Sequence, residues 1–177
     1  MLNIIQNIFR IEELRQRIFF TLFMLFIFRL GAHIPTPGID GGALTAFFEA
    51  QQGSILRFFD MFTGGALSRL TVFALGVMPY ISASIIIQLL TAVFPYLERL
   101  TKEGDAGRKK ITGYTRYGTI VLSIVQGFAI AVGLESMAAP GGEPIVISTL
   151  SPWAFRALTV LTLTAGTAFL MWVGEQI

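Results

Sequence analysis

The feature that most constrains this chain is an uncharged run from Leu70 to Leu97, bounded by Arg69 and Glu98. It exceeds the roughly 20 apolar residues that carry a helix across a bilayer. Gly76 and Pro79 interrupt its first half. A proline removes one helical donor and crowds the carbonyl four residues back. The pattern therefore predicts a span over 70–95 that is kinked at 76–79. Backbone groups freed within lipid must be satisfied by neighbouring helices or water, so such a span belongs inside a protein assembly. Beyond the proline come Ser82, Ala83 and Ser84, then three isoleucines and Gln88. Small residues let helices approach closely, and a glutamine at membrane depth needs a partner or a wet cavity.

Composition agrees with a membrane class. The 177 residues are 54% apolar and 14% charged, where soluble domains carry about 25% charge. The absence of cysteine excludes disulfide, haem-thiolate, iron–sulfur and Cys-zinc chemistry, and the single His33 excludes a histidine-cluster metal site. No metal or other cofactor is expected. Glu12 and Glu13 precede the first apolar run and no small-residue cleavage site follows it, so that run is expected to stay as a span.

The rest of the chain divides around four such runs. Residues 1–17 place Ile4, Ile5, Ile8, Ile11 and Leu14 at helical spacing opposite charged residues. This suits an amphipathic surface helix, with a solvated helical leader as the alternative. A first span is expected over 18–34, with Arg29 either snorkelling or pairing internally. Ile34-Pro35-Thr36-Pro37-Gly38 stops it. The segment 35–69 is long for a connection and rich in phenylalanine, and part of it is too short to span yet apolar enough to bury. A re-entrant helix ended by Gly64-Gly65 and an ordinary packing loop fit it equally. A basic loop over 96–116, a third span over 117–134, a loop over 135–153, a fourth span over 154–174 and a short end over 175–177 complete the reading. Lys and Arg concentrate before the first span and in 96–116, which places both on the cytoplasmic side and leaves 35–69 and 135–153 outside.

Four stretches carry a family likeness: IPTPGID at 34–40, MFTGGALSR at 61–69, MPYISASIIIQLL at 78–90 and KEGDAGRKKITGYTRYG at 102–118. They resemble the SecY family, the channel subunits of Sec protein translocons. The resemblance implies an all-α integral membrane fold: four transmembrane helices plus a short re-entrant plug helix. These would form the incomplete N-terminal half of a ten-span channel with a pseudo-two-fold axis. It implies a plug at 55–69, comprising Ile55, Phe58, Phe59, Met61, Phe62, Gly64, Gly65, Ala66, Leu67, Ser68 and Arg69. It implies an aliphatic pore ring to which Val77 and Ile81 contribute. A lateral gate would include Ser82, Ile85, Gln88 and Gln126, and a cytoplasmic partner face would include Arg99, Lys102, Arg108, Lys109, Lys110 and Arg116. The implied partners are SecE and SecG, SecA or the ribosome, the preprotein with its signal sequence, the surrounding lipid, and the remaining SecY spans from another chain or segment. The implied location is the bacterial cytoplasmic membrane.

The residues themselves weigh on the same question. Val77 and Ile81 lie four apart, hence on one helical face, which on periodicity alone equally suits packing against another span. A secondary transporter or ion channel tolerates broken helices too, but such proteins place ionisable groups at the midplane. The four runs hold serines, glutamines and threonines but no acidic residue. Gly-x-Ser-x-Gly and an acidic dyad are missing from them, which argues against an intramembrane hydrolase. KEGDAGRKK lacks the spacing of a nucleotide-binding loop.

Overall fold

The computed structural model describes residues 12–50, 58, 60–61, 63–137, 142, 144–147 and 151–176. Ile55, Phe59, Phe62 and most of the N-terminal stretch therefore lie outside the described residues. Among the described residues the regular structure is helical: α1 (Glu12–Gly31), α2 (Gly41–Ala50), α3 (Met78–Val93), α4 (Pro95–Lys102), α5 (Asp105–Ser136) and α6 (Pro152–Gln176).

Helices α5 and α6 are long and apolar enough to cross a membrane, and α3 with α4 would count as a third span if taken together. Helix α1 has the length, but Arg15, Arg17 and Arg29 load it with charge. It ends at Gly31, just ahead of the Pro35 and Pro37 stop.

Three expected boundaries move. Pro79 does not kink a helix; it sits in the first turn of α3, where its missing N–H has no helical partner to lose. Residues 70–77 form turns instead, with Gly76 in the left-handed region at φ 56°. Second, α3 stops at Phe94, which is extended ahead of Pro95, and α4 leaves at 99°. Third, the charged stretch 96–116 is not a loop. It forms α4 and the first three turns of a 32-residue α5, because its charges occupy exposed faces. Gly107 makes the α4–α5 corner possible: a Cβ there would lie on the Leu100 carbonyl oxygen.

The turns at 70–77 replace helix hydrogen bonds with tertiary ones. Thr36 N–H donates to Leu70 O at 2.9 Å and Val72 N–H to Ile34 O at 3.1 Å. On its other side the same IPTPGID stretch bonds residues 145–147, through Asp40 N–H to Ile145 O and Ile147 N–H to Gly38 O, both 3.0 Å. Phe73 is stacked between Phe28 of α1, at 5.4 Å, and Phe169 of α6, at 5.9 Å. Gly31 and Gly166 accept this segment by having no side chain, Gly31 beneath the Phe73 ring and Gly166 beneath the Val72 carbonyl.

Helix α2 was not anticipated. Asp40 Oδ1 accepts from Gly42 N–H at 2.8 Å and Ala43 N–H at 3.2 Å, an N-cap pattern. Leu44 then enters the core with Ile39, Leu70, Leu75, Leu134, Ile145 and Phe155.

The main helix pair is α5 with α6, antiparallel. Thr115, Thr119, Ser123, Gly127 and Ala131 recur every four residues and are all buried on α5. Gly127 brings the backbones close, since a Cβ on it would sit 3.5 Å from Val160 Cα. Arg116 pairs with Glu175 at one end, its Nε 2.7 Å from Oε1. At the other end Arg156 makes a bidentate pair with Glu135, its shortest contact 2.6 Å, and lies over the Trp153 ring.

Candidate functional site

Helix α3 has two unlike faces. Pro79 and Ala83 are buried, and Ala83 lies 3.5 Å from where a Cβ on Gly118 of α5 would stand. On the opposite face Val77, Ile81 and Ile85 stay about half exposed, at 49%, 45% and 52%. Ile81 N–H bonds Val77 O at 3.0 Å, so the ridge continues through the helix start. Val77 is the cap residue of α3 and follows directly on the turns that hold Phe73 in the aromatic stack. The buried turn at 70–75 thus leads directly into this half-exposed aliphatic ridge.

The polar residues singled out on α3 and α5 do not converge. Gln88 Nε2 donates to Ser84 Oγ at 3.1 Å within its own helix. Ser82 is half-buried. Gln126 instead lines a cleft of about 310 Å³ with Thr63, Leu67, Leu75 and Met78. Met78 is ten residues before Gln88, so the two glutamines are separated by about 15 Å along α3.

The segment 63–69 lies between this cleft and a second apolar one of about 290 Å³, bounded by Phe47 and Phe48 of α2 and Ile130 and Leu134 of α5. Leu67 lines both. Phe58, Asp60 and Met61 are helical, and Phe58 and Met61 are largely exposed, whereas Ala66 is fully buried. Gly64 and Gly65 have φ of 65° and 82°, a conformation that glycine adopts without side-chain strain. Arg69 is exposed and Ser68 half-buried.

The basic set splits in two. Lys102 pairs with Glu98, Lys110 with Glu103 and Arg116 with Glu175. Arg99, Arg108 and Lys109 are exposed and make no ion pair among the described residues. On α4, a hydrogen bond from the Lys102 ammonium and then its charge hold the Glu98 carboxyl below the ordinary carboxylate range. His33 Nδ1 contacts Arg29 O at 2.8 Å, closing the end of α1. Among the described residues no three His, Asp or Glu side chains converge as metal ligands.

The pairing of Arg116 with Glu175 and of Glu135 with Arg156, just outside the apolar runs 117–134 and 154–174, was not anticipated. The equal spacing of 19 residues within each helix was the available signal.

A family model for SecY matches residues 71–177, which takes in the ridge of α3 and all of α5 and α6. The chain belongs to the SecY family. It is 54% identical to the protein translocase subunit SecY of Escherichia coli over 165 residues, covering 93% of this chain and 36% of that protein. The SecY of Aquifex aeolicus is 50% identical over 178 residues, 100% of this chain and 41% of the relative. The SecY of Buchnera aphidicola from Acyrthosiphon kondoi is 54% identical, with 93% and 45% covered. The chain thus spans somewhat under half the length of the SecY relatives it matches. With its apolar helices, SecY membership makes this a membrane protein.

Proposed function

We propose that this chain is the N-terminal part of a protein-conducting channel subunit. In this reading it secretes unfolded preproteins across the bacterial cytoplasmic membrane and releases membrane segments sideways into lipid. The observation that carries the reading is the half-exposed aliphatic ridge Val77–Ile81–Ile85, set at the end of a buried turn in a chain whose relatives are named protein translocase subunits. A collar of aliphatic side chains at a narrow point dewets and so blocks ions without any charged site. It also grips no particular side chain of a passing polypeptide.

Val77 and Ile81 supply part of that collar, and its other members come from spans outside these residues. The segment 55–69 closes the resting channel as a plug. Ser82, Ile85, Gln88 and Gln126 belong to the side of the lateral gate formed by α3 and α5. Four spans, with 96–116 and the N-terminus cytoplasmic, accommodate this arrangement. SecE and SecG complete the membrane complex. SecA or the ribosome delivers chains to the face carrying Arg99, Lys102, Arg108, Lys109, Lys110 and Arg116.

The test is Val77→Gly with Ile81→Gly in the full-length subunit, reconstituted with its complex. Resting ion leak should rise and weak signal sequences should be accepted more readily, while assembly stays intact. Intact assembly with unchanged leak and selection, or lost assembly without a gated leak, would refute the ring.

A further inference from the structure

We propose that Phe73 is a positioning residue for the aliphatic ridge of α3: the slot between Phe28 and Phe169 sets where Val77 and Ile81 stand. This placement rests on the reading of Val77 and Ile81 as members of a closing ring. Local structure does not fix them. Val77 caps α3 without a side-chain hydrogen bond to the free N–H groups of the first turn. Val77 and Ile81 are half exposed, so little packing of their own holds them. The turn ahead of them is not one the chain prefers by itself. Leu70 has φ 37°, in the left-handed region that is costly for a residue with a side chain. The backbone pairing with 34–36 ends at Val72, and among the described residues no backbone bond joins 73–77 to another element.

Side chains make the connection instead. Ala74 and Leu75 enter the core with Leu44 and Ile145. Phe73 joins the turn to α1 and α6, its buried ring lying 17° from the plane of Phe28 and 14° from that of Phe169. Near-parallel rings on both sides define a flat slot, which a branched aliphatic side chain fills poorly. Gly31 closes the edge of the slot, since a Cβ there would stand 2.1 Å from Phe73 Cε2. The path from slot to ridge is short. Phe73 O accepts Gly76 N–H at 2.9 Å, Gly76 turns the chain at φ 56°, and Val77 O accepts Ile81 N–H at 3.0 Å. A shift of Phe73 is therefore carried within four residues to Val77, and through it to Ile81.

The experiment uses two variants of the full-length subunit, reconstituted with its complex. Phe73→Leu keeps an apolar side chain but loses both stacked contacts. Gly31→Ala keeps Phe73 and pushes its ring from the edge of the slot. Losing two stacked contacts is worth roughly a factor of ten in the population of a displaced ridge, so resting ion leak should rise about tenfold. Each variant is then combined with Val77→Gly and Ile81→Gly, which raise leak by themselves. If Phe73 acts through the ridge, neither variant should add to that leak. Ordinary packing would lower thermal resistance but would not make the leak depend on the ridge. Wild-type leak in both variants, while the ring variant leaks, would overturn the positioning role and keep the ring. Leak that adds to that of the ring variant would also overturn it, because Phe73 would then act elsewhere. A ring variant without leak would overturn the ring reading and the positioning role with it. Loss of assembly in both Phe73→Leu and Gly31→Ala would make Phe73 a folding residue and overturn the proposal.

Discussion

Gly166 offers the sharpest test of how the turns ahead of α3 are held. In Gly166→Ala the new Cβ would stand 2.0 Å from the Val72 carbonyl oxygen, about 1.3 Å inside the ~3.3 Å of a close carbon–oxygen contact. The obstacle is backbone, so no rotamer change removes it. Two effects oppose each other. Alanine is the better helix former by about 0.8–1.0 kcal/mol. Overpacking a filled interior costs about 1–3 kcal/mol, and a rigid obstacle draws on the upper part of that range. The net expectation is a loss of about 1–2 kcal/mol. Gly113→Ala is the matched control, because a Cβ at Gly113 of α5 meets nothing within 4 Å. It should be neutral or stabilising by up to about 1 kcal/mol. The assay is resistance of the detergent-solubilised complex to thermal unfolding, measured side by side. If Gly166→Ala proves as stable as Gly113→Ala, the close approach of Val72 to α6 is wrong, and so is the account of how 70–77 is fixed.

The Arg116–Glu175 pair should behave as a unit. Arg116→Glu and Glu175→Arg should each lower thermal resistance, and the double variant should recover most of the loss; additive losses in the double variant would show that the two residues do not couple. Orientation is testable because the chain has no native cysteine. A cysteine placed at Asp105 should react with a membrane-impermeant thiol reagent from the cytoplasmic side alone, and labelling from outside alone would reverse the topology.

The pattern of apolar runs located α5 and α6, and the Ile34–Pro37 stop located the end of α1, because both depend on local chemistry. Pro79 was legible as a disturbance but not as a helix start. Residues 70–77 are apolar enough to read as helix, and what holds them otherwise is Phe73 between Phe28 and Phe169 and the pairing with 34–36, all distant in sequence. The stretch 96–116 reads as a loop because its charges favour solvent, but the exposed face of a helix displays charge equally well. Helix α2 did carry a signal, Asp40 ahead of Leu44, Phe47 and Phe48 at helical spacing, but the neighbouring glycines masked it. At the candidate site, the i, i+4 spacing of Val77 and Ile81 is realised as one face. The separation of Gln126 from Gln88 depends on how α3 and α5 are aligned, which no single run of sequence contains.

The two ion pairs that tie α5 to α6 also set a ruler. Arg116 and Glu135 are 19 residues apart, as are Arg156 and Glu175, so each helix spaces its charges by about 28 Å. That is close to the ~30 Å hydrocarbon thickness of a bilayer. Because the spacings match, sliding one helix along the other by a single turn would break both pairs together, and neither helix can adjust its depth alone. A bilayer of different thickness must then be met by tilting the pair as one body or by deforming the lipid around it.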